Sequence, residues 1–376
     1  MKVVDYLVVG AGMAGASIAA ELSDYGSVVM IERENQPGYH STGRSAAVFS
    51  ETYGPPTIQA LSSASRAFFE NPPEGFRDHP LLTPRGMIMI ARADQADRLD
   101  EFLADNQGTA RGLDTPEMCR MVPILRGDQL AGGAFEPDCS DIDVAALHQG
   151  FLRLVRERGG RVVTDMALPP IERDGGRWQV DIQNERIAVG AIVNSSGAWG
   201  DEVARSCGAG PIGLVPKRRT AITIDVPPAC DASAWPVVVD IDERFYFKPE
   251  SGRLLISPAD TTPSPPTDAQ PEEIDVATAV DRFETATDLA VKKISHRWAG
   301  LRTFAPDGDP VVGWDPDVDA FFWLVGQGGY GIQTAPAMAR LAAALAVGAE
   351  LSQDIVDKGV DASSLSPRRF KGKVVG

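Results

Sequence analysis

The chain is poor in the residues that build metal centres and disulfide frameworks, with four cysteines and four histidines in 376 positions. Cys119, Cys139, Cys207 and Cys230 show no CxxC or other metal-like spacing, which argues against a bound metal. Two disulfides are formally possible. The first strand, however, starts within a few residues of Met1 and leaves no room for a signal peptide, so reduced thiols and a cytoplasmic location are expected. No apolar run approaches the roughly 18 residues that argue for a membrane helix, so no integral membrane segment is expected. Basic charge is short as well. Lys and Arg number 36 against 52 Asp and Glu, and the net charge of −16 argues against a nucleic-acid partner, which needs a basic surface. The one obvious local exception is Lys217-Arg218-Arg219. Repeats and low-complexity tracts are also lacking. What remains is an ordinary globular composition, 43% hydrophobic and 23% charged, with length for about two domains.

What is present is concentrated at the start. Tyr6 to Val9 is apolar and β-branched, then Gly10, Gly12 and Gly15 lead into a small-residue helix, Ala14 to Leu22. Gly10 allows a sharp turn, Gly12 puts no Cβ between the backbone and a pyrophosphate, and Gly15 lets helix and strand pack closely. The helix N-terminus then offers free N–H groups and a positive dipole end to an anion. A second strand, Val28 to Ile31, ends at Glu32, 22 residues after Gly10, where a carboxylate accepts hydrogen bonds from a ribose diol. Strand, turn, helix, strand and acid together predict a bound dinucleotide. They do not choose between FAD and NAD.

Further along, helices are expected over Thr57 to Phe69, Gln95 to Asn106, Ile142 to Arg158, Glu272 to Thr285 and Ala335 to Val347. Asp141 or Asp143 caps the third of these, and Gly159-Gly160 stops it. Leu82 to Ala91 reads as one strand, and Ala191 to Asn194 as an apolar strand running into a glycine turn at Gly197. Pro216 to Ser257 reads as successive strands of an antiparallel sheet with one exposed face. The resulting fold class is α/β plus α+β: a Rossmann-like FAD-binding domain interleaved with an antiparallel-sheet substrate domain. The expected segments are 1–80, 140–212 and 300–365 for the first, and 81–139 and 213–299 for the second. Such interleaving favours a flavoprotein over an NAD dehydrogenase, whose nucleotide domain is usually one block.

Several blocks then carry a resemblance: QPGYHSTGRSAA (Gln36 to Ala47), AFFENPPEGF (Ala67 to Phe76), ALHQGFLR (Ala146 to Arg153), PKRR (Pro216 to Arg219), WAGLR (Trp298 to Arg302), GQGGYGIQT (Gly326 to Thr334) and LSPRR (Leu365 to Arg369). Along nearly its whole length the chain resembles the FAD-dependent D-amino-acid oxidase family, which includes glycine oxidase, sarcosine oxidase and D-amino-acid dehydrogenases. Within it, the blocks look most like those of D-arginine dehydrogenase. The resemblance implies non-covalent FAD, with Ala14, Glu32 and Arg33 on its ADP half and Ala167 on the adenine side. Ser41, Thr42, Gly43, Arg44, Ser45, Ala46, Ala47 and Val48 wrap the pyrophosphate and flavin, with Arg44 as a cation for phosphate. Gly197, Arg302 and the run Gly328, Gly329, Tyr330, Gly331, Ile332 and Gln333 complete the site. Gly326 to Gly331 is expected to open a helix whose N–H groups face the flavin N1/C2=O edge.

Arg219 and Arg302 are expected to grip the substrate carboxylate, since a guanidinium fork matches a carboxylate in two bonds. Taken alone, either arginine is more often half of a surface ion pair. By resemblance Tyr246 also touches the carboxylate and Tyr53 is a mobile lid; both read equally well as half-buried aromatics. Gly329 and Gln333 match positions lining the flavin and the substrate amine. No His or Lys base is required, because a deprotonated amine releases hydride from Cα directly to flavin N5 once held in line.

The sequence departs from D-arginine dehydrogenase at two places: Val48 stands where that enzyme carries a His, and Met87 where it carries the Glu that receives a cationic side chain. With that carboxylate missing, arginine and lysine should be poor substrates. Val48, Met87, Val237 and Val239 instead suggest a pocket for neutral or hydrophobic side chains, although Val237 and Val239 also read as core filling. The expected function is FAD-dependent oxidative deamination of D-amino acids to 2-oxo acid and ammonia, with a quinone or O2 as electron acceptor. Oxidation of a secondary amine (sarcosine, proline or glycine type) or of a 2-hydroxy acid is the alternative on the same scaffold.

Overall fold

The structure is a computed structural model that describes residues 2–227 and 230–371. Its first sheet is a parallel core with antiparallel additions. Lys2–Val9 lies between Val28–Ile31 and Glu185–Asn194, both parallel to it, and Arg161–Val163 extends the sheet beyond Val28–Ile31. Phe321–Val325 runs parallel to residues 192–194, and the hairpin Ile171–Asp174/Arg177–Ile182 closes one edge. Buried at every position, Val28–Ile31 and Phe321–Val325 are unbroken apolar runs, as expected of strands covered on both faces. The helices Met13–Leu22, Val144–Glu157 and Ala335–Val347 pack together over one face, and Ala16, Ala19 and Ala20 are fully buried at that seam. Asp143 is the cap of the second helix, accepting a hydrogen bond from Ala146 N at 2.7 Å.

The second sheet has nine strands. It runs from Gln327–Gly328 through Ile294–Phe304, Val215–Asp225, Arg253–Ser257, Tyr246–Glu250, Val237–Asp240, Met87–Ala91 and Gly132–Glu136 to Arg111–Leu113. Three expectations change here. Leu82 to Ala91 is two strands in different sheets: Leu82–Pro84 pairs with Ser140–Ile142, and Met87–Ala91 joins the nine-stranded sheet. The chain bends at Gly86, φ +71°, while the Arg85 and Gly86 N–H groups both donate to Cys139 O. The sheet is not wholly antiparallel, because Val237–Asp240 runs parallel to Met87–Ala91. Nor is one face open: Val276, Ala279 and Phe283 of helix Glu273–Ala286 bury it against Ile222, Phe247 and Ile256.

The two sheets are joined in a single residue. Phe321–Val325 belongs to the first and Gln327–Gly328 to the second, with Gly326 at φ +73° between them. No helix among the described residues is long and apolar enough to cross a membrane.

Candidate active site

A cleft of about 370 Å³ runs between the sheets from the first glycine turn to Gly326. Its floor is backbone. Gly10 has φ +97° and lies where a Cβ would meet Ser195 O at 2.9 Å; a Cβ on Gly15 would lie 1.8 Å from Gly10 O. The turn and the helix–strand contact therefore both demand glycine. Two side chains reinforce the turn: Met13 N donates to Thr42 Oγ1 at 2.9 Å, and the buried His148 Nε2 donates to Ala11 O at 2.9 Å. Burial holds His148 below its ordinary pKa, which keeps it neutral. Glu32 Oε2 accepts from Ala11 N at 2.8 Å and Oε1 from Glu34 N at 3.0 Å, so the expected ribose acid also braces the glycine loop.

Of the residues expected around FAD, Gly10, Gly12, Ala14, Glu32, Arg33, Ser41, Thr42, Arg44, Ser45, Ala46, Ala167, Gly197, Arg302, Gly328, Gly329, Gly331 and Ile332 line this cleft. Gly15 and Gly43 act in packing, the latter through Gly43 N donating to Gly38 O at 2.8 Å. Ala47, Val48 and Gln333 line the adjoining chamber instead, and the Tyr330 ring packs at a tilt against Tyr53 with ring centroids 5.0 Å apart. Arg44, at the cleft wall, is also tied to the protein. Its guanidinium donates to Ala269 O (2.9 Å) and Ala299 O (3.0 Å) and pairs with Asp268, clamping the loop to the second sheet. The glycine loop leads through turns at residues 329–334 into the helix Ala335–Val347, at the bounds expected from the sequence. Among the described residues the N–H groups of Gly331, Ile332 and Gln333 meet no protein acceptor. Tyr39, His40 and Trp199, to which sequence reading gave no role, line the far end of the cleft, with Arg33 stacked 4.7 Å over the Trp199 ring.

FAD fits this donor set. Beyond the glycine cradle, Gln327 Nε2 is buried at the cleft wall with no hydrogen-bond partner. An orphaned buried donor costs about 1–3 kcal/mol unless something accepts from it, and a flavin edge carries carbonyl and ring-nitrogen acceptors.

Past Ala46 the cleft narrows into a chamber of about 80 Å³, the room of a few water molecules. All of Tyr53, Val48, Met87, Val237, Val239, Arg219, Tyr246, Arg302, Gly329 and Gln333 line it, although they come from both ends of the chain. Strand register explains the arginines. Arg219 faces Gly300 and Arg302 faces Lys217 across adjacent antiparallel strands, so the two guanidinium stems share one face, two residues apart. Arg218 points the other way and is buried in ion pairs with Asp275 (2.9 Å) and Glu272 (2.6 Å). Among the described residues Arg219 and Arg302 form no ion pair: Arg219 Nε donates to Asp260 O at 3.0 Å and Arg302 Nη1 to Tyr53 Oη at 3.2 Å. Burial, together with the Arg302 charge, pushes the Arg219 guanidinium below its ordinary pKa. Two like charges side by side, neither in an ion pair among the described residues, favour an entering carboxylate. Gly329 lies flat on this pair, since a Cβ there would sit 2.6 Å from Arg302 Nη1.

Sequence reasoning missed Ser50, Met89, Glu243, Lys248 and Ala259 in the chamber wall. Lys248 is neutralised there by Asp141 (2.7 Å) and Glu250 (2.9 Å), and the exposed Glu243 stands at φ +54°. The amide of Gln333 is engaged at both ends, accepting from Ser50 N at 3.2 Å and donating to Ser62 Oγ at 2.9 Å. Burial pushes the Glu136 carboxyl just behind the chamber above its ordinary pKa, against the opposing pull of Thr52 and Ser50.

A parallel nucleotide sheet, a glycine-floored cleft and a two-arginine chamber at its end define a dinucleotide-dependent oxidoreductase scaffold. The chain belongs to the FAD dependent oxidoreductase family, which matches residues 5–345. Glycine oxidase of Bacillus licheniformis is 23% identical over 92% of this chain and 93% of its own length. The formaldehyde-forming 4-methylaminobutanoate oxidase of Paenarthrobacter nicotinovorans is 24% identical over 97% of this chain and 45% of its own. L-alpha-glycerophosphate oxidase from Mycoplasma pneumoniae, a structure with FAD bound, superposes with a TM-score of 0.82 at 16% identity, covering 92% of this chain and 95% of that one. These relatives are not D-arginine dehydrogenases, so the resemblance holds at the level of the family.

Proposed function

We propose that the protein oxidises the amine of a small amino acid, with D-amino acids bearing neutral or hydrophobic side chains as the leading substrates. The reading rests on Arg219 and Arg302, two guanidinium groups that share one chamber wall and form no ion pair among the described residues. They grip the carboxylate while Tyr53 and Tyr246 close around it, and Val48, Met87, Met89, Val237 and Val239 take the side chain. FAD, when bound, accepts two electrons and a proton from the substrate and passes the electrons to O2 or a quinone. The chain's own work is to orient and desolvate: two arginines fix the carboxylate, the small chamber excludes water, and no side-chain base is needed for an amine that enters deprotonated. The imino acid released then hydrolyses to a 2-oxo acid and ammonia.

A secondary amine is the second reading. Gln333, expected beside the amine, has both ends of its amide engaged, so no amide is left to distinguish one N–H from two. The 4-methylaminobutanoate oxidase relative supports it equally well. Anaerobic mixing with D- and L-amino acids, sarcosine, proline and a 2-hydroxy acid, followed by air, tests both. Flavin bleaching by D-alanine or D-leucine with one ammonia released per turnover supports the leading reading; bleaching by sarcosine or proline alone replaces it with the second. Bleaching by L-amino acids alone overturns the stereochemistry.

A further inference from the structure

Residues 50–54, between strand Val48–Phe49 and helix Pro56–Glu70, are tied down one after another. Ser50 Oγ donates to Glu136 Oε2 (2.8 Å), Glu51 N to Glu136 Oε1 (2.9 Å) and Thr52 Oγ1 to Glu136 Oε2 (2.6 Å). Gln59 Nε2 holds the carbonyls of Thr52 and Gly54, at 3.1 and 3.0 Å. Tyr53, between them, is left to accept from Arg302 and to pack at a tilt against Tyr330. Three of these bonds converge on one carboxylate.

Glu136 ends strand Gly132–Glu136 and is 2% exposed. It stands directly opposite Met87, which in turn stands beside Val237, so the three side chains form a row on one face of the second sheet. The row's other two members line the chamber, as do Ser50 and Tyr53. A buried carboxylate without a cationic partner carries a desolvation penalty of several kcal/mol, which core filling does not require and an apolar residue would avoid. All three donors it satisfies belong to the segment that carries Tyr53.

We propose that Glu136 is a positioning residue for carboxylate capture: it sets the 50–53 segment so that the Tyr53 hydroxyl meets Arg302 over the substrate chamber. The proposal deepens the amino-acid reading and rests on it for the identity of the substrate. Glu136→Leu removes the acceptor at similar volume. In the FAD-loaded enzyme it should raise the amino-acid KM and the Kd of acetate, read from the flavin absorbance change, about tenfold, as expected for loss of charge-assisted bonds. The kcat should change by less than about threefold and the FAD content not at all. Ser50→Ala with Thr52→Val, which deletes donors from the segment's own side, should reproduce the KM shift and carries the test if Glu136→Leu does not fold. Glu136→Gln should rescue, because its carbonyl can take Glu51 N–H while both hydroxyls turn to accept from its NH2 group. Tyr53→Phe added to Glu136→Leu should cost nothing more.

Unchanged KM and acetate Kd in both variants overturn the proposal. So does a full independent loss when Tyr53→Phe is added. Acetate binding needs no turnover, so a tenfold acetate shift in a protein that oxidises no amine would overturn the amino-acid reading and leave the role of Glu136 standing.

Discussion

The cleft and the chamber meet at Ala46, yet they are made of different material. The cleft is floored by backbone: Gly10 and Gly12, the N–H groups of Gly331 and Ile332, and carbonyls held by His148 and Ser195. The chamber is walled by side chains from strands far apart in sequence, with Arg219 and Arg302 next to Met87, Val237 and Tyr53. Backbone recognises what the whole family shares, a dinucleotide. Side chains can be exchanged one at a time without disturbing the floor, which is how one scaffold serves glycine, methylaminobutanoate and glycerophosphate oxidases.

If that division is right, damage to the floor should remove the cofactor, and damage to the chamber should spare it. Gly15→Ala is the most severe case, since its methyl would lie 1.8 Å from Gly10 O and the turn must move; the purified protein should be colourless and inactive. Arg219→Met should keep most of its flavin content but lose about 10³-fold in kcat/KM, as removal of a charge-assisted carboxylate contact typically costs about 3–5 kcal/mol. Loss of flavin together with activity in that variant would show that cleft and chamber are not separable. Met87→Glu restores a carboxylate to the apolar wall and should favour D-arginine over D-leucine about tenfold relative to the parent in kcat/KM, the worth of roughly 1.4 kcal/mol.

The smallest effect is on pH. His148, which braces the cleft floor, is held by burial below its ordinary value of 6.5. As the pH falls through that value the unfolded chain takes up a proton that the folded chain refuses. The stability His148 contributes is therefore full above about 6.5 and declines as the pH drops below it. Thermal melts between pH 7.5 and 5 should show the decline, and His148→Gln should flatten it.

The same division governs how much could be read from the sequence. The glycine turn and Glu32 were legible because turn, helix start and strand end lie within one short stretch, and each glycine answers a local steric demand. The bonds of Arg44 were not legible, because the carbonyls that hold it come from a distant loop (Ala269) and from a strand of the other sheet (Ala299). The break at Gly86 left a local signal, Pro84-Arg85-Gly86 ahead of the apolar run from Met87, but what holds the bend is Cys139 O, supplied from a distant segment. Arg219 and Arg302 were visible only through resemblance, since nothing local separates Arg219, which faces the chamber, from its neighbour Arg218, locked in ion pairs on the opposite face. His148 left one usable signal, a histidine on the buried face of an amphipathic helix. Glu136 left none, because its three donors lie more than 80 residues away.

The crossing at Gly326 gives the molecule a fixed gauge. Thr303 pairs with Gly328 and Phe304 with Gln327, so the strand bearing Arg302 is bolted by main-chain bonds to the turn that ends the cleft. The offset between Arg302 and the cleft is therefore set by strand spacing, which no side-chain replacement alters. A lineage can re-cut the chamber for a new substrate and inherit the alignment unchanged.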